Sequence, residues 1–477
     1  MGQRQGCLET VARLFEIRIG RRCSVPSTCP RMDYILQGYQ VNETTWFYLS
    51  LLLVVAVFFR FNRLWSLRNA DLVLLLSVSP GLLLLNSSHP TVGYAWLFVC
   101  TGLLLVRLFL DPIFKRRPLL EQNLNASGLA FLCFAAFAFQ VTKVATEPPA
   151  ASTVASVRQA DDLLRRKDSS TERPGTESVS GPATKLITAT AAVAPARLVA
   201  QNSGRQVSAE WIAARIIACL SHLAVVLGLI FLGKRHLGDT RLGVAMATMY
   251  LLLPSTAYQV SNVDHVLPAA LVIWSLVFYY KPMIAGGLMG LACGTVFFPA
   301  FLLPLWVAFY GRIGAVRFGA ALGIVASVLI GTLALTAADS QSFLRQMIGS
   351  IDWSILQFQT GSGVGFWAAI SPVYRLPVMA VFLVGVVLLT IFPRRKNIEH
   401  LMAHSAAIVV ATQLWYPQHG GIYVMWYLPL VLGVIFRPRL AHLVPPDAAP
   451  LLRVARTAHT EGRQERTFST VNRQQLR

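Results

Sequence analysis

Charged residues are scarce in this chain of 477 residues, of which only 13% are Asp, Glu, Lys or Arg. A soluble domain of this length needs a more polar surface, so the composition argues against one. Hydrophobic residues make up 55%, and apolar runs long enough to cross about 30 Å of hydrocarbon recur along the sequence. Unbroken runs of Leu, Ala and Val indicate helices rather than barrel strands. The sequence therefore predicts an all-α polytopic membrane protein with about 11–13 transmembrane helices.

Cysteine is also rare, with seven in the whole chain and no spacing typical of metal ligands. Four of them lie in apolar runs, and Cys23 and Cys29 stand apart from the others. A disulfide framework and a cysteine metal site are therefore not predicted. No metal ligand set is predicted elsewhere, and a divalent cation at an acidic site stays open. The chain also lacks an internal repeat that would indicate a transporter built from two related halves.

Acidic residues are outnumbered by 42 basic ones to 22, which gives a net charge of +20. The basic residues fall in short loops and in the two tails, as membrane topology predicts, so nucleic acid is not an expected partner. The outer loops "NSSHP", "STAYQVSNVDH" and "YPQHGG" contain no Lys or Arg. The positive-inside rule then places the N-terminus outside and the C-terminus in the cytoplasm of a bacterial inner membrane.

That topology requires two crossings at 283–297 and 298–310, which are short and interrupted by Pro299 and Pro304. A single kinked passage and a re-entrant hairpin are the alternatives. Helices are predicted at 44–60, 70–87, 92–111, 126–142, 208–233, 242–257, 265–280, 283–297, 298–310, 317–336, 376–393, 399–416 and 421–436.

Five segments follow from this pattern. Residues 1–43 form an N-terminal extension rich in arginine and without a signal peptide, and Met32 could be the natural start. Residues 44–142 form a four-helix membrane segment, and residues 207–436 form a membrane core. A basic, disordered cytoplasmic tail is predicted at 437–477, and a flexible extracytoplasmic loop at 143–206.

The two larger outer loops contain further candidates. In 143–206, one short amphipathic helix that carries Asp161 and Asp162 is predicted from Val154, Val157, Leu163 and Leu164. In the loop 337–375, three of the aromatic residues are typical of a segment lying along the membrane interface. Its "GSGVG" at 361–365 lacks the strand–turn–helix context of a nucleotide loop. The aromatic residues are Trp353, Phe358 and Trp367.

From Trp211 onward the order of motifs resembles a known family. The motifs are "AARIIACL", "LGKRHLGDTRLG", "MYLLLPS", "SNVDHVLPAALVIW", "IAGGLMGLACGTVFFPAFLLPLWV" and "LWYPQHGGIYVMWYLPLVLG". This order is similar to the GT-C superfamily of polytopic glycosyltransferases, especially its dolichyl-phosphate-mannose and aminoarabinose-transferase-like branches. The likeness covers about half of the chain, residues 211–436. It implies transfer of a sugar from a polyprenyl-phosphate donor, a membrane lipid, to an acceptor on the extracytoplasmic face.

The family's reaction needs a carboxylate to take the acceptor's proton and positive groups to stabilise the departing phosphate. Asp161 and Asp162 are the candidate catalytic carboxylates, although adjacent residues on a helix point about 100° apart. Arg215, near the outer end of its span, is a candidate phosphate clamp. It could instead snorkel to lipid headgroups or pair inside the bundle.

A second group of candidates lies at the outer turn before 265–280. Asn262, Asp264 and His265 are predicted to bind substrate, and Asp264 could instead bind a metal or cap the following helix. His222 either extends a polar lining or donates to a backbone carbonyl between helices. Asp352, beside Trp353, is a weaker candidate for recognising a sugar.

Two other functions stay open. A translocator of lipids or polar solutes would use Arg215, His222 and His404 along its passage, and a scaffold would keep the fold without the chemistry. The spans are mostly apolar and the polar residues concentrate at the outer ends, which favours an outward-facing site. Tyr423, Trp426 and Tyr427 are most simply interpreted as an interfacial aromatic belt.

Overall fold

The computed structural model describes most of the chain between residues 43 and 446. It divides the chain into two units, Met1–Gln40 and Val41–Arg477, and the first lies wholly outside the described residues. The predicted extension 1–43, with Met32, and nearly all of the predicted tail 437–477 therefore lie outside the part described. The described ranges are 43–85, 87–113, 122–165, 181–193, 195–196, 209–337, 340–349, 355, 365–368, 370–440 and 442–446.

The described ranges are helical and contain no β-strand, so this is an all-α protein. The helices are α1 (Glu43–Phe58), α2 (Leu67–Leu85), α3 (Pro90–Phe109), α4 (Ala126–Thr146), α5 (Ala151–Arg165), α6 (Pro182–Thr188), α7 (Ala209–Leu232), α8 (Thr240–Leu252), α9 (Pro254–Tyr258), α10 (Val263–Val277), α11 (Pro282–Thr295), α12 (Leu303–Thr336), α13 (Ser340–Gly349), α14 (Arg375–Ile391), α15 (Ile398–Trp415) and α16 (Val424–Phe436). Short 3₁₀ or π turns lie at Asp111–Ile113, Ala189–Val193, Gly233–Leu237, Phe298–Leu302, Phe366–Ala368 and Pro372–Tyr374.

Each apolar range predicted from the sequence coincides with helix. Within the described residues, five helical stretches are long and apolar enough to cross a membrane, and five shorter helices are apolar along their length. The chain is therefore a multi-pass membrane protein. The long stretches are Leu67–Leu85, Pro90–Phe109, Ala126–Thr146, Ala209–Leu237 and Phe298–Thr336; the shorter ones are Thr44–Phe58, Val263–Val277, Pro282–Thr295, Arg375–Ile391 and Val424–Phe436.

Polar residues set several helix boundaries. The Asn125 side chain accepts from Gly128 N at 2.7 Å at the start of α4, which satisfies a main-chain donor that the first turn leaves unbonded. Asn397 and His400 form a reciprocal capping box at the start of α15. Pro254 ends α8, because a proline cannot donate to the preceding turn.

The segment 298–310 runs back along α11. Gly286 and Gly290 of α11 approach Phe318 and Leu322 in the same order along the chain, so α11 and the second part of α12 run parallel. Residues 298–310 must return between them, and the Tyr310 hydroxyl donates to Tyr279 O at 2.7 Å, near the start of α11. The two short segments therefore run in opposite directions, as the two-crossing topology requires.

Gly311 makes the reversal after this return. Its φ of 70° and ψ of −164° lie in a region that is nearly exclusive to glycine. The reversal returns the chain along α11, so that Phe318 lies beside Gly286. Arg312 and Arg317 therefore lie near the end where α11 begins.

The bundle has two ends, a basic end and an aromatic end. The basic end contains the connections 59–66, 233–239, 278–281 and 392–397 and the segment after α16; Phe58 and Phe436 meet there with ring centroids 5.9 Å apart. The aromatic end contains the connections 87–89, 147–150, 259–262 and 416–423.

The long loop 143–206 contains more helix than the sequence predicts. The short amphipathic helix is present as α5, and a second helical stretch, 182–193, follows it. Both pack onto the aromatic end: Thr153 Oγ1 donates to Ser261 O at 2.7 Å, and Gly181 N donates to Thr295 O at 2.9 Å. Alanine and valine side chains from α5, α7 and the 182–193 stretch form a small core of their own beneath them.

Candidate functional site

An aromatic cluster surrounds the start of α10 at the aromatic end. Tyr423 and Trp426, at the start of α16, stack with ring centroids 4.1 Å apart. His265 meets the Tyr423 ring edge-on at 4.7 Å, and Phe298 stacks on the other side of Trp426 at 4.7 Å. Trp426 and Tyr427 are buried inside the bundle, so the interpretation of these residues as a lipid-facing belt is wrong for both.

The polar groups of this cluster come from one turn of chain. Asn262 is the N-cap of α10 but makes no capping bond; its Nδ2 donates to Gln259 Oε1 at 2.8 Å. Asp264 lies in the first turn, where a carboxylate is favoured by the helix dipole, and its main-chain oxygen accepts from Trp426 Nε1 at 3.2 Å. His265 Nδ1 is buried and has no hydrogen-bond partner among the described residues. Asn262, Asp264 and His265 are therefore brought together against aromatic faces.

Arg215 lies one turn into α7 at the same end of the bundle. Its Nη2 donates to the main-chain oxygen of Glu147 at 3.3 Å, and its guanidinium carbon lies 6.0 Å from the centre of the Trp211 ring. The Glu147 carboxylate lies 3.6 Å from Lys143 Nζ, which donates to Ala257 O at 2.8 Å. Two basic side chains thus connect the ends of α4, α7 and α9.

His222 contacts a backbone carbonyl between helices, which was the alternative to its extending a polar lining. It is buried, its Nε2 lies 3.1 Å from Val260 O, and its Nδ1 lies 2.8 Å from the Tyr250 hydroxyl. These bonds brace the point where α8 stops at Pro254. The free carbonyls there are satisfied by Thr256, by Gln140 Nε2 at 3.0 Å from Leu251 O, and by Ser50 bonded to Leu252 O.

The two candidate catalytic carboxylates lie near the end of α5. Asp161 Oδ2 accepts from Arg165 Nε at 2.9 Å, one turn later on the same helix. One turn earlier, Arg158 pairs with Glu210 at the start of α7 at 3.2 Å. Asp162 is partly buried beside Asp161. Asp161 therefore contacts a residue of its own helix, whereas Arg215 contacts Glu147; the contacts described do not join the two.

The remaining candidates fall elsewhere. His404 Nδ1 lies 3.1 Å from Leu389 O, between α14 and α15. Trp367 is buried, and its Nε1 donates to Leu414 O at 3.1 Å, so it packs into the bundle rather than lying along the interface as expected. Asp352, Trp353, Phe358 and the first four residues of "GSGVG" lie outside the described residues.

A second histidine at the aromatic end, His419, was not a sequence candidate. Its Nδ1 lies 2.7 Å from the Tyr94 hydroxyl, and its backbone has a positive φ of 50°. Burial lowers the pKa of His419 below the ordinary value for histidine. The loop 416–423 is thereby joined to α3 by a neutral histidine.

The basic end contains a buried ion-pair network that sequence reasoning missed. Arg107 binds Asp71 through two bonds, of 2.6 and 2.9 Å, and reaches Asp111 at 3.2 Å. Arg437, just after α16, donates to Asp111 at 2.5 Å, and its Nη1 lies 2.9 Å from Glu399 Oε2. The signal was present, because Asp71 and Arg107 are opposite charges inside two adjacent apolar spans, where ionisable groups are expected to pair.

Within the described ranges no group of three or more His, Cys, Asp or Glu side chains could hold a metal ion. Neither family models, nor curated proteins, nor solved structures show a match to this chain.

Proposed function

We propose that this protein is a membrane-embedded glycosyltransferase with a GT-C-like arrangement, which takes a sugar from a polyprenyl-phosphate donor and acts at the aromatic end. The observation that carries the proposal is the cluster in which Asn262, Asp264 and His265 lie against the stacked Tyr423 and Trp426 rings. Aromatic faces pack against the apolar face of a sugar ring, while carboxylate, amide and imidazole groups bind its hydroxyls. A site of this composition at the end of a bundle suits a sugar attached to a lipid.

The charge distribution supports an orientation for the proposal. Arginines and lysines concentrate at the basic end, which the positive-inside rule places in the cytoplasm of a bacterial inner membrane. The N-terminus and the aromatic end then face outward. A donor whose lipid tail stays in the bilayer would present its phosphate at the level of the first turns of α7 and α10.

Each candidate residue has a role in the proposal. Arg215 stabilises the departing phosphate, since its long side chain can turn from Glu147 O toward an anion at the interface. Asp264 and His265 bind the sugar, with Asn262 beside them. Asp161 or Asp162 takes the acceptor's proton as part of α5, the helix that covers this end.

The experiment measures release of polyprenyl phosphate from a radiolabelled donor by the full-length protein in lipid nanodiscs, with an envelope extract as the source of acceptor. Asp264→Asn and Arg215→Ala should each lower the rate at least about 100-fold, the loss typical of one transition-state contact. Glu210→Gln, in the exposed pair with Arg158, is the matched control and should keep the rate. Repeating the assay with a chelator tests for a divalent cation.

Two outcomes would overturn the proposal. Donor that crosses the bilayer of sealed vesicles without release of phosphate would identify a translocator instead. Neither release nor translocation, with the donor still bound, would identify a scaffold. Unchanged release in Arg215→Ala would remove the phosphate role from that residue alone.

A further inference from the structure

The connection between α1 and α2, residues 59–66, exposes three large apolar side chains. Trp65 is 102% exposed relative to an extended reference, Phe61 is 64% exposed and Leu64 is 62% exposed. Within the turn, Phe59 meets the Phe61 ring edge-on at 5.1 Å and leaves most of that ring exposed. Such a group on a short connection is unusual, because exposed apolar side chains in loops normally occur singly.

Hydrogen bonds from one side chain fix the backbone of this turn. Asn69, which is buried in the first turn of α2, donates from Nδ2 to the main-chain oxygens of Arg60, Arg63 and Leu64, each at 3.1 Å. Its Oδ1 accepts from Arg60 N at 3.0 Å. Ser66 Oγ accepts from Asn69 N at 3.2 Å and so caps the helix. One side chain therefore fixes the turn and holds Trp65 away from the protein.

Basic residues lie between the apolar ones. Arg63 is exposed and Arg60 partly exposed, and they alternate with Phe61, Leu64 and Trp65 along six residues. Aromatic side chains with arginines beside them are typical of the membrane–water boundary, where the rings reach the acyl chains and the guanidinium groups meet phosphates. The chemistry that this turn fits is a negatively charged headgroup above hydrocarbon.

The surroundings of the turn favour the bilayer over a soluble partner. The turn leaves α1 at Phe58 and enters α2 at Leu67, both in apolar helices. Tyr48, Leu49 and Leu52 form an exposed stripe along α1 that leads toward it. The exposed apolar surface of the turn thus continues the surface that the membrane already covers.

We propose that residues 60–65 form an anionic-phospholipid site, in which Trp65, Phe61 and Leu64 insert at the bilayer boundary and Arg60 and Arg63 bind the headgroup phosphate. Phosphatidylglycerol is the probe that represents this chemistry. The proposal is independent of any sugar transfer.

The experiment uses the full-length protein in nanodiscs and follows Trp65 by the difference in emission between the wild-type protein and Trp65→Phe. The difference signal should be blue-shifted, quenched by phosphatidylcholine brominated on its acyl chains, and insensitive to iodide in the buffer. Replacing unbrominated phosphatidylcholine by phosphatidylglycerol in the mixture should relieve the quenching, because the anionic lipid displaces the brominated one from the site.

The arginines are tested by the same displacement. The preference for phosphatidylglycerol should fall about fivefold for each of Arg60→Gln and Arg63→Gln, which corresponds to about 1 kcal/mol per basic residue near an anionic surface. Arg241→Gln, at an exposed arginine in the first turn of α8, should leave it unchanged. A Trp65 signal quenched by iodide and not by brominated lipid, or a preference for phosphatidylglycerol that survives both substitutions, would overturn the proposal.

Discussion

The two ends of the bundle hold their polar groups in opposite ways. At the basic end, Asp71, Arg107, Asp111, Arg437 and Glu399 form one network in which each charge faces an opposite charge. At the aromatic end, Arg215 is joined to a main-chain carbonyl and His265 lies against a ring, while the ion pair of Arg158 with Glu210 is exposed to solvent. A charge whose partner is an opposite charge is fixed in place. Contacts with main-chain carbonyls and rings can be exchanged for contacts with a ligand, which is why we propose the site at the aromatic end.

The network also connects distant parts of the chain. Asp71 and Arg107 belong to α2 and α3, whereas Glu399 begins α15 and Arg437 follows α16. Removing one partner of a buried ion pair lowers the free energy of unfolding by more than the intact pair contributes, because the remaining charge is left in a medium of low dielectric constant. The first helices and the last ones are therefore held together at the basic end.

The largest expected effect is at Asp111, which binds both arginines of the network. Asp111→Asn should lower the free energy of unfolding by about 3–5 kcal/mol, since two guanidinium groups lose their common carboxylate. Equilibrium unfolding in mixed micelles, followed by circular dichroism, measures it. Glu210→Gln breaks the exposed pair with Arg158 at the aromatic end and should cost at most about 1 kcal/mol. Equal losses of unfolding free energy in Asp111→Asn and Glu210→Gln would contradict the difference between the two ends.

A smaller effect is expected at the turn where the chain reverses at the basic end. Gly311→Ala forces a Cβ onto a backbone with φ of 70° and should cost about 1–3 kcal/mol. Gly319→Ala, on the same helix with open space around its Cβ position, should be neutral or stabilising, because alanine favours helix. Thermal unfolding of both variants in detergent gives the difference. If Gly311→Ala proves as stable as Gly319→Ala, the reversal at Gly311 is wrong.

The smallest effect concerns pH at the aromatic end. The pKa of His419 is lowered in the folded protein, so the unfolded chain binds the proton more readily. The stabilising effect is complete above about pH 6.5 and is lost as the pH falls below that value toward the folded pKa, by at most about 1.4 kcal/mol per pH unit. Melting temperature as a function of pH, for the wild-type protein and for His419→Gln, measures this. The variant should lose part of the acid sensitivity, and parallel curves would argue against a buried neutral histidine.

Local patterns in the sequence were sufficient for the helices. Apolar runs determined their positions, and the helix at Asp161 and Asp162 followed from the spacing of four apolar residues. The stretch 182–193 was not predicted, because it is short and is held by packing on α5 and α11 rather than by a periodic pattern of its own. Likewise, the reversal of the chain after 298–310 depends on one glycine torsion, which composition does not determine.

The candidate site, too, was only partly predictable from the sequence. Asn262, Asp264 and His265 are neighbours in the chain, so sequence reasoning could group them. Tyr423 and Trp426 join them from about 160 residues further on, and their burial reversed the expectation of a lipid-facing belt. The network at the basic end was missed because its members lie on five separate segments of the chain, and only their pairing in space explains charges inside apolar helices.

The most direct test of the central claim locates the donor itself. A polyprenyl-phosphate sugar with a photoreactive group near its phosphate would be bound to the protein in nanodiscs, irradiated, and its attachment mapped by mass spectrometry. Labelling is expected within residues 211–215, 262–265 and 416–426, and the label should be lost when unmodified donor is added in excess. Labelling that is competed by the donor but maps to residues 59–66 or 392–397 would place the site at the opposite end and contradict the central claim.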